Sequence, residues 1–252
     1  TPRMLLSAAQ ARCDAVNPQI NAVNMRHDEH ADSVLRARHH AGSEQLGALA
    51  GVPMLLKDLN TYMTGTLTTN GSRMLADAPP ATRNSTIVQR YEAAGMLIFG
   101  KTTSPEYGLT TTTESSLWGQ TRNPWSLAHS AGGSSGGAAA AASLNLGVLH
   151  QGSDAGGSIR IPCAFTGTFG IKPTFGYVPQ WPASAMTVLS HLGPMTRTVE
   201  DSVLDWARIE AARRGTSVSR MVGDFMAEMM QREDAYERAY LAWRTDERSW
   251  QA

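Results

Sequence analysis

The N-terminal part of this 252-residue chain spaces its apolar residues as amphipathic helices do. Residues 4–16 and 26–41 both have the pattern of surface helices that turn one apolar side inward. Asn17-Pro18 predicts a break after the first helix, because proline lacks the N–H that a continuing helix needs. Gly42 predicts the end of the second helix.

A strand, a helix and a second strand are predicted next. The apolar run from Val52 to Leu56 predicts a buried strand that ends at Lys57. Ser85 is a typical helix cap, and apolar residues at helical spacing continue to about Ala94. Met96–Phe99 then predicts another buried strand. This order indicates an α/β fold in which helices cover a sheet.

Small residues and glycines dominate the middle of the chain. Residues 137–142 predict a close-packed helix, and Leu144–Leu149 predicts a central strand that leads into a glycine loop at 152–157. The prolines of 161–200 indicate irregular structure with short strands.

The composition changes after residue 201. Residues 201–248 are charged and contain no proline, and Gly215-Thr216-Ser217 reads as the end of one helix followed by the cap of another. Apolar residues from Val218 to Met229 follow one helical face. We therefore expect a domain over residues 1–201 and a helical tail over 202–252.

Bulk composition restricts the function classes. The net charge is zero, so nucleic acid is not an expected partner. No signal peptide is visible, and no apolar run approaches the roughly 18 to 20 residues that span a bilayer. Cys13 and Cys163 stand 150 positions apart, outside any paired framework, which favours a reducing, cytoplasmic compartment.

Two serines and one lysine carry the candidate chemistry. Ser134 and Ser158 each lie in a glycine-rich turn. A serine hydroxyl needs a neighbouring base, and the seven histidines carry no supporting motif. Lys57, after its apolar run, can serve as that base if burial lowers its pKa towards neutrality. Alone, it would more often be a lysine that extends from a strand end into water.

The segment Ala155-Gly156-Gly157-Ser158 is a candidate oxyanion hole. It has no bulky side chain before the serine, so consecutive backbone N–H groups can converge on one oxygen. An ordinary glycine turn is the alternative for such a loop taken alone.

Two other sites are weighed and set aside. His27 and His30 have the spacing of a helical ligand pair but lack a third ligand, so no metal site is predicted. Gly95–Thr102 fits the phosphate-loop pattern GxxxxGK[ST], but its four variable residues are Met-Leu-Ile-Phe. These are strand residues, whereas a phosphate loop needs flexible ones.

The motifs resemble those of the amidase signature family from about residue 15 to residue 201, in family order. The segments that carry this resemblance are Asn17–Ala22, Gly51–Pro53 with Lys57-Asp58, Leu67–Ser72, Gly95–Pro105, Thr121–Trp125, Gly132–Gly137, Gly156–Arg160, Gly170–Thr174 and Gly193–Asp201. Family domains are longer than this stretch, so the resemblance implies a truncated amidase signature fold: a mixed sheet with helices on both faces.

The resemblance also implies the role of each site residue. Ser158 would be the nucleophile, Ser134 the bridging serine, and Lys57 the base, with a cis peptide bond between Gly133 and Ser134. Neither a metal nor an organic cofactor would be needed.

Supporting roles are expected for residues around this triad. Asp154 and Arg160 are expected to form an ion pair that holds the loop. Ser153 stands where the family often has threonine and is placed to hydrogen-bond near Lys57. Lys172 is family-typical and expected to be structural.

The expected activity is hydrolysis of a small carboxamide, with a lean towards catabolic and cyclic-amide hydrolases. One alternative is the A subunit of glutaminyl-tRNA amidotransferase, which would need partner chains. The other is an inactive amidase fragment whose tail dimerises or binds DNA. The tail from Ser202 resembles the helix pair of ribbon-helix-helix antitoxins, which do both. A truncated domain would expose a sheet edge, which could pair with a second copy, so a homodimer is a further expectation.

Overall fold

The computed structural model describes residues 1–41 and 49–198. The predicted tail helices, their cap at 215–217 and the domain boundary after residue 201 lie outside the described residues.

The described residues form five α-helices and ten strands. The helices are α1 (Pro2–Ile20), α2 (Asp28–Ala41), α3 (Thr86–Ala93), α4 (Gly136–Ser143) and α5 (Arg160–Thr166). The strands are β1 (Val23–Arg26), β2 (Pro53–Lys57), β3 (Leu97–Thr102), β4 (Glu114–Ser115), β5 (Gly119–Gln120), β6 (Arg122–Asn123), β7 (Ser126–Ser130), β8 (Leu149–Asp154), β9 (Phe169–Gly170) and β10 (His191–Thr196). Short 3-10 helices span Arg73–Leu75 and Glu106–Gly108.

Six of the strands form one mixed sheet in the order β1-β3-β2-β8-β10-β9. β2 runs parallel to both β3 and β8. β1 is antiparallel to β3, and β10 is antiparallel to β8 and β9. The other strands form two small hairpins, β4-β5 and β6-β7.

Helices pack on both faces of this sheet, as expected from the sequence. Side chains of β2 alternate between the faces. Leu55 joins a buried cluster with residues of α1, α2 and α4, whereas Met54 and Leu56 join a second cluster with residues of α3. The mixed α/β fold predicted from the motifs is therefore confirmed.

The first helix does not break at Asn17-Pro18, which corrects the sequence-based prediction. α1 continues to Ile20 and ends at Asn21, which adopts a left-handed conformation with φ 57°. The Asn17 side chain stabilises this end, because its Oδ1 accepts the N–H groups of Ala22 and Val23 at 2.8 Å. Pro18 removes one intrahelical hydrogen bond, that to the Asp14 carbonyl, without ending the helix.

The region after α1 also differs from the prediction. Residues 23–26, partly assigned to the second helix, form the edge strand β1, and α2 begins at Asp28. Ser85 does occupy the N-cap of α3, but its hydroxyl accepts the Tyr62 N–H at 2.8 Å and makes no capping bond.

The predicted strand at 144–149 is wrong. Asn145 has a positive φ of 54°, and the strand begins only at Leu149 and continues to Asp154, through half of the predicted glycine loop. Most side chains of β8 are polar although the strand is buried, so its sequence resembles that of a loop.

The region 161–200 is more regular than predicted. It contains most of α5 and the six-residue strand β10 in the main sheet. Pro162 fits into the first turn of α5, where its missing N–H has no intrahelical partner.

Candidate active site

Lys57 is the last residue of β2 and is completely buried. Its Nζ donates hydrogen bonds to Ser134 Oγ at 2.7 Å and to Ser153 Oγ at 3.0 Å. Burial lowers the pKa of this amine to about 7, and the nearby Asp154 carboxylate opposes that shift. Near neutral pH, a substantial fraction of Lys57 is therefore uncharged and able to accept a proton.

Ser134 lies in the turn that precedes α4, and it is also buried. The Gly133–Ser134 peptide bond is cis, the conformation that the family resemblance implied. The backbone here tolerates no larger residue at 133, since a Cβ on Gly133 would lie 2.7 Å from the Thr112 carbonyl. Close packing thus holds the hydroxyl beside the lysine.

Ser158 lies in the turn between β8 and α5 and is partly exposed. Its carbonyl accepts the Ser135 N–H at 3.1 Å, which ties the two serine-bearing turns together. The Ser135 hydroxyl adds a second link, because it donates to the Ser153 carbonyl at 3.1 Å and accepts the Ser153 N–H at 3.2 Å.

Ser134, Ser153 and Ser158 line one cavity of about 440 Å³. Leu59, Tyr107, Leu109 and Met186 supply its apolar lining, and Asn60, Asn70 and Gln180 supply amide groups. The structure therefore places Ser134 and Ser158 in one cavity, and Lys57 contacts two of the serines that line it, Ser134 and Ser153.

Asp154 organises the turn that carries Ser158. Its side chain is inaccessible to solvent and binds Arg160 through two hydrogen bonds of 3.0 Å, whereas the Arg160 side chain is 55% exposed. The carboxylate also accepts the N–H groups of Gly157 at 2.8 Å and Ile159 at 3.1 Å. Although burial opposes it, these contacts, with that to Arg160 the strongest, lower the pKa of Asp154 well below its ordinary value.

This arrangement changes the list of candidate oxyanion donors. The Gly157 N–H points at Asp154 Oδ1, so it is not free to meet a substrate oxygen in this conformation. The amides of Ala155, Gly156 and Ser158 remain the candidates. Ala155 and Ser158 line the cavity, and Gly156 is exposed.

Three further residues at the cavity, which the sequence did not indicate, have an uncommon backbone conformation. Asn60, Asn70 and Tyr107 adopt positive φ values of 50–51°, which is uncommon for residues other than glycine. All three line the cavity, and the Asn70 side chain accepts the Asn60 N–H at 2.9 Å. Such backbone strain tends to cluster at functional sites, but it has no simple signature in a single sequence.

The loop that joins β9 and β10, residues 171–190, forms one wall of the cavity. Gln180, Met186 and neighbouring residues of this loop line it. Trp181 attaches the loop to the start of α3, since its carbonyl accepts the Thr86 N–H at 3.2 Å. The Arg83 guanidinium carbon also lies 3.3 Å from the centre of the Trp181 ring, a cation–π contact.

The remaining lysines have other contacts. Lys101 is buried in β3 and donates to the Leu67 carbonyl and the Thr68 hydroxyl. Because β3 covers most of the GxxxxGK[ST] segment, that segment is largely strand and not a phosphate loop. Burial lowers the pKa of Lys101 to about 8. Lys172 donates to the Pro173 carbonyl at 3.2 Å and lies 3.4 Å from His191 Nε2.

The described ranges contain no group of three or more His, Cys, Asp or Glu residues arranged to hold a metal ion. Within the same ranges, every helix is too short or too polar to cross a membrane.

Comparison with known proteins connects this geometry to one family. The sequence model of the family described as Amidase matches residues 4–242. An acylamidase from Rhodococcus erythropolis is 45% identical over 207 residues, which cover 81% of this chain and 43% of the relative. The A subunit of a glutamyl-tRNA(Gln) amidotransferase from Deinococcus deserti is 42% identical over 206 residues, covering 81% of this chain and 42% of the relative.

A solved structure agrees with these sequence matches. The structure of a 6-aminohexanoate cyclic dimer hydrolase complexed with substrate aligns with a TM-score of 0.76 and 37% identity. The alignment covers 82% of this chain and 42% of the hydrolase. The chain thus spans less than half the length of the relatives that it matches.

Proposed function

The chain belongs to the amidase signature family, and we propose that the protein hydrolyses a carboxylic amide through an acyl-enzyme on Ser158. One observation carries this proposal: a completely buried lysine whose amine donates to Ser134 Oγ at 2.7 Å. A buried amine with a pKa of about 7 suits a general base that works near neutral pH.

The proposed first step forms the acyl-enzyme. When Lys57 is neutral, the Ser134 hydroxyl can donate to Nζ instead of accepting from it. Lys57 takes this proton, and Ser134 takes that of Ser158. Ser158 Oγ attacks the amide carbonyl carbon, and backbone N–H groups of the 155–158 turn stabilise the resulting oxyanion. The relay then returns the proton to the amide nitrogen, the C–N bond breaks, and the amine leaves.

The second step releases the acid. A water molecule attacks the ester carbonyl and gives one proton to the same relay. The Ser158 Oγ–acyl bond breaks, Ser158 recovers its proton, and the carboxylic acid is released. The Asp154–Arg160 pair acts indirectly by holding the turn in which Ser158 and the candidate donors lie.

A fluorophosphonate probe tests this proposal, because it phosphonylates activated serines. The full chain is treated with the probe, and the adduct is located by mass spectrometry, with Ser158→Ala as the control. We expect an adduct on Ser158 and none in the variant. A folded chain that acquires no adduct on Ser158 would overturn the proposal.

Two classes of amide substrate are supported by the relatives. The match to an acylamidase and to a cyclic-dimer hydrolase favours a catabolic amidase acting on linear or cyclic amides. The match to the amidotransferase is nearly as strong and favours the alternative, in which the chain acts only together with partner chains. Activity on simple amides by the chain alone supports the first, and glutamine-dependent activity that appears only with partner chains supports the second.

The remaining predictions have their own tests. We place the protein in the cytoplasm because Cys13 and Cys163 are both free thiols in buried positions. The antitoxin-like tail would dimerise or bind DNA in an otherwise inactive fragment. Size-exclusion chromatography tests the homodimer, and a gel shift at low salt tests DNA binding, which the balanced charge of the chain disfavours.

A further inference from the structure

Gln151 connects the base to the sheet in a way that the mechanism above does not use. It lies in β8, and its side chain is completely buried. Its Oε1 accepts the backbone N–H of Lys57 at 2.9 Å and the Thr61 hydroxyl at 3.2 Å. Its Nε2 donates to the Gly152 carbonyl at 3.0 Å, so both ends of the amide are bonded.

The pairing of β2 with β8 explains why a side chain is needed at this point. The parallel register runs through Met54 opposite Leu149 and Leu55 opposite His150, and it ends there. The Lys57 N–H is therefore beyond the paired part of this ladder, although it is fully buried. A buried N–H without an acceptor is costly, and the Gln151 amide oxygen takes the place of the missing strand carbonyl.

The same strand also contacts the other end of the lysine. Ser153 follows Gln151 by two positions, so both side chains lie on one face of β8. Ser153 Oγ accepts a hydrogen bond from Lys57 Nζ at 3.0 Å, while Gln151 accepts one from Lys57 N. Neighbouring side chains of one strand thus fix both the backbone and the amine of Lys57.

We propose that Gln151 is a positioning residue that fixes the backbone of Lys57 so that its amine reaches Ser134. This inference rests on the proposed amidase function for its kinetic consequence, but its structural consequence can be measured independently. Catalytic groups must be held closely, because a displacement of about 1 Å can cost a hundredfold in rate.

The variants separate positioning from general packing. Gln151→Leu replaces the amide with a slightly shorter apolar side chain and so removes the acceptor, whereas Gln151→Glu keeps an oxygen that can accept the Lys57 N–H. Asn123→Leu is the matched control, since Asn123 is also a buried amide whose oxygen accepts a backbone N–H, that of Trp125 at 3.0 Å. Gln151→Asn, whose amide is one carbon shorter, replaces Gln151→Leu if that variant does not fold.

Two measurements are made on the full chain. The first is the rate at which a fluorophosphonate labels Ser158 as a function of pH. The second is ¹⁵N NMR of the side-chain amines after lysine-specific labelling, which is simple here because the chain has three lysines, Lys57, Lys101 and Lys172. The resonance lost in Lys57→Met identifies Lys57, and its titration gives the pKa without any need for activity.

We expect Gln151→Leu to label between about tenfold and a hundredfold more slowly than the wild type. The titration of Lys57 should move towards the ordinary lysine range, because an amine released from its buried contacts regains water. Gln151→Glu should recover part of the rate, with its acid limb shifted to higher pH by the added carboxylate. Asn123→Leu should change neither quantity.

A folded Gln151→Leu or Gln151→Asn variant with the wild-type labelling rate and the wild-type Lys57 titration would overturn the inference. Failure of the proposed function gives a different result, in which the wild type itself acquires no adduct on Ser158. The Lys57 titration then still decides the role of Gln151: a shift in the Gln151 variants supports it, and an unchanged titration rejects it.

Discussion

Lys57 Nζ lies 2.7 Å from Ser134 Oγ, at the point where a strand of the sheet meets the turn before α4. Ser134 lines the same cavity as Ser158, and in the proposed mechanism its hydroxyl connects the amine to the nucleophile. This contact joins residues 77 positions apart in the chain, and under the proposed mechanism activity requires the neutral form of Lys57.

The pH dependence of activity should follow Lys57. Burial lowers its pKa to about 7, and only the neutral amine can accept a proton. Acylation should therefore rise as pH increases through about 7 and fall about tenfold for each unit below it. The pH profile of Ser158 labelling or of amide turnover checks this, and a flat profile down to pH 5 would contradict the role of Lys57 as base.

Asp154→Asn should be more harmful than Arg160→Gln. The Asp154 carboxylate accepts N–H groups from Gly157 and Ile159 as well as from Arg160, and an amide would present an NH₂ group to one of these donors. We expect kcat to fall about a hundredfold or more for Asp154→Asn, because the turn that carries the candidate oxyanion donors would rearrange. Arg160→Gln, which removes an exposed partner, should cost less.

The comparison needs turnover and melting temperature for both variants of the Asp154–Arg160 pair. Equal losses in the two variants would mean that the ion pair, and not the contacts to the backbone, holds the turn.

Gly137→Ala should destabilise the protein, whereas Gly156→Ala should not. A Cβ on Gly137 would lie 2.4 Å from Thr103 Oγ1 and 2.6 Å from the Ala22 carbonyl oxygen. Gly156 has nothing within 4 Å of the equivalent position. We expect Gly137→Ala to lower the free energy of unfolding by ~1–3 kcal/mol or more, since overpacking must be relieved by movement of the backbone.

Chemical denaturation of the two alanine variants beside the wild type measures this difference. Similar stability of Gly137→Ala and Gly156→Ala would show that α4 does not pack against Ala22 and Thr103 as closely as these distances indicate.

The contact between Arg83 and Trp181 should influence substrate binding more than chemistry. It attaches the 171–190 loop, which lines the cavity but carries none of Lys57, Ser134 and Ser158. Trp181→Leu should raise KM by about fivefold with little change in kcat, because such a cation–π pair contributes ~1 kcal/mol. Arg83→Gln should do the same.

Trp125→Leu is the control for this pair, since Trp125 is 75% exposed and donates to the Thr166 carbonyl away from the loop. Steady-state kinetics separate the two parameters. A loss confined to kcat in Trp181→Leu would assign the loop to the chemical step instead.

The sequence predicted the parts of the fold in which apolar patterning and structure coincide. β2, α3 and α4 lie close to their predicted positions, because burial on a helix or strand leaves a regular trace in the sequence. β8 escaped prediction because its buried residues include the polar His150, Gln151, Ser153 and Asp154. A pattern of apolar residues does not detect a buried strand whose side chains are mostly polar.

The site was predictable only where a motif marks it. The family resemblance assigned candidate roles to Lys57, Ser134 and Ser158, and the structure brings these residues to one site. It did not indicate that the Gly157 N–H turns towards Asp154, which depends on how the turn closes around a carboxylate. Nor did it indicate Gln151, because the need for its amide arises from where two strands cease to pair.

The pairing of Asp154 with Arg160 has a consequence for how a substrate approaches the cavity. Among the described residues that line the cavity, Asp154 is the one carboxylate, and the bidentate guanidinium balances its charge. Lys57 is largely neutral above about pH 7. The net charge of these groups is therefore close to zero above about pH 7. The encounter of a neutral amide with Ser158 should be insensitive to ionic strength, and selectivity must come from shape and hydrogen bonding.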